Sequence, residues 1–474
     1  MSELFYDETY QIGHGVSYDS RINLLITPDI TVPEIPEDLS DLLFEFYLGI
    51  RALNAHDRLK HAPNISVLMH NKCQLKCTYC FAEVQDQFEK VYADPDKVAE
   101  TVRKFKTPRV HLLGGEPLLD IKYLKELLKA IDHVQVLSVT TNAIGITDEV
   151  LRLLKSHCEK LNIGISFEPK AWGKRLTNND KHSNDVVRQT FKRVTADLLF
   201  KRKEDTYVGS TMVFPISGNV PFMPVGDIIE EWKDVFNGNL PYEMKWQAET
   251  DPHGDLKNNF PEYLIKTLDE EMYEILSADS DNERLQLGLS GRSDKYADHL
   301  IGNQLIPSIS LACGPGVHSI TVGHDNQIYS CPMGGAVHDK SELLDECTDR
   351  EDIFPDIHKS HFRYLLEPIC RKCPIKYQCG KTCGRREQGV CEFNRGMTRL
   401  FFAKMAKFYP EKLKKVQEYQ LKTLNYFVKN INELKPFIRS EEWQSIVTGT
   451  IDMELLKKKG GMYLDLIHKL TCNV

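Results

Sequence analysis

Asn64-Ile65-Ser66-Val67-Leu68-Met69-His70-Asn71-Lys72-Cys73-Gln74-Leu75-Lys76-Cys77-Thr78-Tyr79-Cys80 is the stretch from which the rest of the chain can be read. Its first seven residues form a short apolar run with β-branched side chains, the pattern of a buried strand. The strand delivers three cysteines separated by three and then two residues. Thiols this close together hold either an iron–sulfur cluster or a zinc ion. One strand–helix unit later, a second apolar run ends in His111-Leu112-Leu113-Gly114-Gly115-Glu116-Pro117. Glycines permit positive φ and close approach of a ligand to the backbone. Glu116 adds a carboxylate, and Pro117 is expected to stop the strand and open a helix.

Outward from these two segments the chain alternates apolar strands with amphipathic stretches. Strands are expected at 64–70, 109–113, 134–140, 161–167, 206–214 and 242–248, with helices such as Ile121–Ile131 and Asp148–Ser156 between them. Repeated βα units imply a parallel sheet, and in such sheets ligands sit at the C-terminal ends of the strands. Before the sheet, Asn23–Thr27 reads as a strand and Asp38–Tyr47 as an amphipathic helix. Residues 251–312 turn polar and read as a connector. Segments 397–405 and 413–431 read as packed helices with lysine-rich outer faces.

The 474 residues suffice for several domains with a large core. A formal net charge of -8 argues against sequence-independent nucleic-acid binding. No apolar run has the length of a membrane span. The acidic start, Met1 to Glu8, lacks the basic and apolar regions of a signal peptide, so a cytoplasmic location is expected. Thirteen cysteines in a cytoplasmic chain point to reduced thiols rather than a disulfide framework.

Cys73, Cys77 and Cys80, followed by Gly114-Gly115-Glu116-Pro117, resemble the radical S-adenosylmethionine superfamily. The resemblance implies that the three thiolates hold three irons of a [4Fe-4S] cluster. The fourth iron would bind S-adenosyl-L-methionine, whose reductive cleavage gives a 5'-deoxyadenosyl radical that abstracts hydrogen from substrate. It also implies an α/β fold, a partial (β/α)6 TIM-like barrel. By the same resemblance Tyr79 lies beside the adenine, Gly114 and Gly115 let the backbone approach S-adenosyl-L-methionine closely, and Glu116 supplies a carboxylate for its methionyl ammonium. Asn142, in Thr140-Thr141-Asn142, lies near the ribose, with Ala143 where the family has glycine. Ser166 and Glu168 are candidates for ribose or methionyl contacts, and Arg175 for the methionyl carboxylate.

A second constellation, Cys313, Cys331, Cys370-x2-Cys373-x5-Cys379-x3-Cys383 and Cys391, resembles the SPASM domain with its two auxiliary clusters. Carried over, auxiliary cluster I takes Cys313, Cys331 and Cys383, and auxiliary cluster II takes Cys370, Cys373, Cys379 and Cys391. A zinc ribbon is the rival reading. Two positions depart from the family pattern: Asn326 replaces a turn glycine, and Pro307 stands where some members have an eighth cysteine. The expected cofactors are three [4Fe-4S] clusters and S-adenosyl-L-methionine. Expected partners are a precursor peptide and a flavodoxin- or ferredoxin-like electron donor, with no nucleic acid and no membrane.

The implied organisation has a 1–62 N-terminal extension, a candidate leader-peptide-binding element. A 63–250 radical barrel, a 251–312 connector, a 313–395 SPASM domain and 396–474 C-terminal helices follow. The implied activity is oxidative: a peptide maturase that installs a thioether or carbon–carbon crosslink. A sulfatase-type maturase forming formylglycine and a non-catalytic iron–sulfur electron carrier are the alternatives. Among sixteen histidines, none stands out as an acid or base.

Overall fold

The computed structural model describes residues 9–13, 15–77, 80, 91–173, 175–177, 183–196, 206–214, 230–232, 234, 244–248, 316–336, 338, 340, 343–344, 350–358, 366–377, 395, 402–403, 406–407 and 410–472. The connector at 251–312 and Tyr79, Cys313, Cys379, Cys383 and Cys391 lie outside the described residues.

β1 (Thr9–Gly13), β2 (Val16–Asp19) and β3 (Leu24–Ile26) form a small antiparallel sheet. α1 (Leu39–Leu59) follows and runs well past the expected end at Tyr47. Its second half carries Asn54, His56, Asp57 and Arg58, which dilute the amphipathic signal, yet His56 and its apolar neighbours are buried.

The barrel is built from β4 (Asn64–Leu68), β5 (Leu75–Cys77), α2 (Pro95–Phe105), β6 (Arg109–Leu113), α3 (Ile121–Ala130), β7 (Val134–Thr141), α4 (Asp148–Lys155), β8 (Cys158–Phe167), β9 (Arg175–Thr177), α5 (Asn184–Ala196), β10 (Thr206–Phe214) and β11 (Met244–Ala248). Strands β4, β6, β7, β8, β10 and β11 pair in that order, all parallel. This is the six-stranded core of a partial TIM barrel, with strands close to those expected from periodicity. One face of β4, β6, β7 and β8 is apolar: Ile65, Val67, Val110, Leu112, Leu137, Val139, Ile163 and Ile165 join the core beneath the helices. Burying that face is the main force closing the layer.

Asp94, Asp120 and Thr147 each accept a backbone N–H at the start of α2, α3 and α4, caps worth about 1 kcal/mol apiece. The Asp120 cap corrects one expectation. Pro117 does not open the helix; α3 begins at Ile121, because Asp120 supplies the acceptor for the Tyr123 N–H at 3.0 Å.

β12 (Ser319–Val322) and β13 (Ile328–Tyr329) form a hairpin, and β12 adds in parallel to the free edge of β4. The segment that carries Cys331 thus extends the barrel sheet itself. Asn326 has φ 67° in the hairpin turn, the left-handed conformation its side chain tolerates best after glycine.

α6 (Pro332–Ala336) and α7 (Pro368–Arg371) are short. α8 (Pro410–Lys429), α9 (Ile431–Ile438), α10 (Glu441–Thr448) and α11 (Met453–Cys472) form the C-terminal helices. α1 packs against α10 and α11, with Phe46 stacked on Trp443 at 5.7 Å. Among the described residues no helix is long and apolar enough to cross a membrane.

Candidate functional site

β4 ends at Leu68, and the chain turns through Met69 to Gln74 before β5 pairs antiparallel with β9. The loop is fixed at its root. The Met69 N–H donates to Leu113 O at 2.9 Å, and the His70 and Lys72 carbonyls accept from Gly115 N and Glu116 N, both at 2.8 Å. This interlock gives both glycines a reason that involves no ligand. A Cβ on Gly114, whose φ is 141°, would meet His70 O at 2.6 Å, and one on Gly115 would meet Lys72 O at 2.2 Å. The cysteine loop and the glycine turn are therefore one folded unit.

Three cysteines belong to that unit. Cys73 and Cys80 are half-buried and Cys77 is buried. Cys73 Sγ accepts from Leu75 N at 3.4 Å and from Asn142 Nδ2 at 3.8 Å. Cys80 N donates to Cys77 O at 3.0 Å, so the CxxC pair sits in a single turn. Reduced thiols with N–H donors on sulfur are a donor set that fits an iron–sulfur cluster. Among the described residues, no three His, Cys, Asp or Glu side chains gather as the ligands of one metal ion.

Glu116 is 1 % exposed, and its carboxylate is engaged. Oε1 accepts from Leu118 N at 3.1 Å and Thr141 Oγ1 at 2.6 Å, and Oε2 accepts from Asn142 N at 2.7 Å. The residue clamps the end of β6 to the end of β7. Asn142 continues the network through Oδ1, which accepts from Gln74 Nε2 at 3.3 Å and Ile144 N at 3.0 Å. Cys73, Gln74, Glu116, Thr141 and Asn142 are thus gathered at the C-terminal end of the sheet. Ala143 has φ 70°, which accounts for glycine at the corresponding place in the family it resembles.

Ser166 is half-buried near the end of β8, and Glu168 just beyond it is fully buried. The backbone of Arg175 pairs with Cys77 across β5 and β9. Farther along, Cys331 follows β13, and its Sγ accepts from Gly334 N at 3.2 Å. Cys370 and Cys373 share a turn through Cys373 N to Cys370 O at 3.1 Å. α1 braces that turn: Lys376 Nζ reaches Ser40 Oγ at 3.4 Å, and Arg371 lies 3.7 Å from Glu45.

Sequence reading missed the anchor of Lys72, which immediately precedes Cys73. Lys72 Nζ donates to the Tyr92 hydroxyl, which donates to Asp120 Oδ2 at 2.8 Å. Backbone and hydroxyl donors from Tyr123 and Tyr92 hold the Asp120 carboxyl below its usual range. His70 is pushed down to about 4, chiefly by burial. Residues so far apart in the chain leave no spacing signal. The polar inward face of the strands was also missed, although its alternation was present in the sequence.

Residues 67–208 match the Radical SAM superfamily, a span that runs from the end of β4 to the start of β10 and contains the triad and the Gly114–Glu116 turn. The protein carries a radical SAM domain. Curated relatives are similar at lower levels. The GTP 3',8-cyclase of Limosilactobacillus fermentum is 25% identical over 229 residues, covering 44% of this chain and 68% of the relative. The probable GTP 3',8-cyclase of Methanocaldococcus jannaschii is 28% identical over 137 residues, covering 26% of this chain and 46% of the relative. This chain therefore spans between about half and two thirds of those relatives. Among solved structures, native anSMEcpe with bound AdoMet shares the fold at a TM-score of 0.50 and 17% identity, over 78% of this chain and 99% of that one. The radical SAM match implies a [4Fe-4S] cluster and S-adenosyl-L-methionine as cofactors.

Proposed function

We propose that the protein is a radical SAM enzyme of the SPASM type that oxidatively crosslinks a ribosomally made peptide. The observation that carries the reading is the loop of Cys73, Cys77 and Cys80 locked onto the Gly114–Glu116 turn, in a chain with a second cysteine set. In that set, Cys331 ends a hairpin added to the same sheet, and Cys370 and Cys373 sit in a turn braced by α1. Cys73, Cys77 and Cys80 would hold the cluster, and Glu116, Asn142, Ser166 and Glu168 would contribute to the S-adenosylmethionine site. When bound, these groups supply a radical able to take hydrogen from an unactivated carbon. The chain's own part is to hold the cysteine sulfurs and to fix the Glu116 carboxyl among three donors. Crosslinking a peptide removes two hydrogens, so a second electron must leave the substrate. Cysteines 313, 331 and 383, and 370, 373, 379 and 391, are assigned to auxiliary clusters that accept it.

GTP cyclisation is the second reading, favoured by the curated relatives. Anaerobic co-expression with short peptides encoded beside the gene separates the two. A loss of about two hydrogens per modified site, absent when Cys73, Cys77 and Cys80 are all alanine, supports the peptide reading. Unmodified peptides together with conversion of GTP by the purified enzyme reject it.

A further inference from the structure

The inward face of the barrel sheet is unlike the apolar face under the helices. Strand register places Thr321, Ser66, His111, Ser138 and Asn162 side by side across β12, β4, β6, β7 and β8. Parallel strands buried on both faces read as continuous apolar runs. Here five neighbouring strands each present a hydrogen-bonding side chain at one level. Polar groups on an enclosed face cost free energy unless they find partners, so a row of them calls for an explanation. Part of the row is closed by the protein itself. α6 covers the β12 and β4 side, where a Cβ on Gly335 would meet Leu68 Cδ1 at 3.0 Å and Thr321 Cγ2 at 3.3 Å. From His111 through Ser138 to Asn162 the side chains remain partly exposed.

The next level toward the strand ends differs again. Thr140 pairs with Gly164, and Gly164 pairs with Gly209, so β8 and β10 carry no side chain at adjacent positions. The two glycines leave a notch in the inner wall. His111 reaches diagonally toward it, its Nε2 2.9 Å from Thr140 Oγ1. Beneath, Asn162 Nδ2 lies 3.4 Å from Ser138 Oγ. Ser166 stands above, two residues beyond Gly164.

We infer that this notch is a substrate subsite, and that His111 contacts there a neutral hydrogen-bonding group of a peptide, a main-chain amide or a side-chain hydroxyl. The inference rests on the peptide reading above. His111, Ser138, Thr140 and Asn162 include donors and acceptors but no fixed charge, which suits an amide or hydroxyl. A phosphate would call for arginine, lysine or a helix N-terminus. His111 also lies about 10 Å along the strand from Gly114, taking the usual rise per residue. That separates it from the turn assigned to the cofactor.

The test uses the full chain with its clusters reconstituted, a neighbouring peptide that the wild type modifies, and the variants His111→Ala, His111→Gln and Gly164→Ala. The readouts are KM and kcat for that peptide and the equilibrium Kd for S-adenosylmethionine. His111→Ala is expected to raise the peptide KM at least tenfold with the S-adenosylmethionine Kd within twofold of wild type. His111→Gln, which keeps a hydrogen-bonding group beside Thr140, should recover part of that loss. Gly164→Ala, which places a methyl in the notch beside Thr140 on the next strand, should also raise KM. Unchanged peptide kinetics in both His111→Ala and Gly164→Ala overturn the subsite. A weakened S-adenosylmethionine Kd in folded His111→Ala overturns it too, by placing the residue in the cofactor's site. A wild type that converts GTP and leaves every peptide intact instead sinks the parent reading, and the neutral-group assignment falls with it.

Discussion

Three donors converge on the two oxygens of Glu116, and no neutral isostere can receive all of them. In Glu116→Gln the amide nitrogen must face either Asn142 N or Leu118 N, so one buried N–H loses its acceptor. A stranded buried donor costs about 1–3 kcal/mol, and a urea midpoint lowered to match is the expected result. A midpoint equal to wild type would mean that the clamp between β6 and β7 contributes nothing. Ala143 makes the complementary case. Its left-handed φ of 70° costs about 1 kcal/mol or more, while its buried methyl contributes about 0.8 kcal/mol. The two nearly cancel, so Ala143→Gly should melt close to wild type. Ala143→Val, with a branched Cβ at the same φ, should lose about 2 kcal/mol or more. Equal melting of the two variants would show that the loop relaxes out of its positive φ.

Among the elements, α1 shows how a short-range preference is overridden. Ala in place of Gly49 gains about 0.5–1 kcal/mol of helix propensity. The new Cβ would stand 2.3 Å from Trp443 Cζ2, on a ring that is 1 % exposed and packed against Phe46 and Phe437. Overpacking of a filled core costs about 1–3 kcal/mol, so the clash wins. Gly49→Ala should lower the melting temperature and speed amide exchange in α10, and a more stable Gly49→Ala protein would refute the packing argument. The same helix marks where sequence reading stops. Strands such as Arg109–Leu113 and Thr206–Phe214 were legible because their apolar runs are local. The far half of α1 was not, since the groups that pack on it, Phe354 against His56 and Arg350 on the Leu59 carbonyl, lie far along the chain. The pairing of β12 with β4 escaped for the same reason: periodicity names strands but not their neighbours. The triad and the Gly114–Glu116 turn were legible because motif spacing is local, whereas the Lys72–Tyr92–Asp120 anchor exists only once the fold has formed.

Across the whole molecule, acid sensitivity follows from buried histidines: burial lowers His318 beside β12, and the larger shifts fall on His70 at the root of the cysteine loop, His324 in the hairpin turn and His358 below α10. Each of the last three is pushed down to about 4, in every case chiefly by burial. Asp120 partly offsets the shift at His70 and Lys72 adds to it; at His324, His338 adds and Asp325 offsets; at His358, backbone hydrogen bonds near Ile446 and Val447 offset. An unfolded histidine titrates near about 6.5. Between that value and about 4 the unfolded chain binds protons that the fold refuses, so stability rises with pH through this window. The contribution is full above about 6.5 and is lost as the pH falls toward about 4, on the order of a few kcal/mol for each of those three at the acid end. Urea unfolding between pH 8 and pH 4.5 should show a falling midpoint from about pH 6.5 downward, a range in which most carboxylates are still ionised. His358→Asn removes one of these titrations at a position remote from every cysteine motif. It should flatten the slope by the share of one proton even if its stability at pH 8 is lower. A wild-type midpoint that is level from pH 7 to pH 5, or a His358→Asn slope that matches wild type, would show that the buried rings reach solvent and titrate as they do in the unfolded chain.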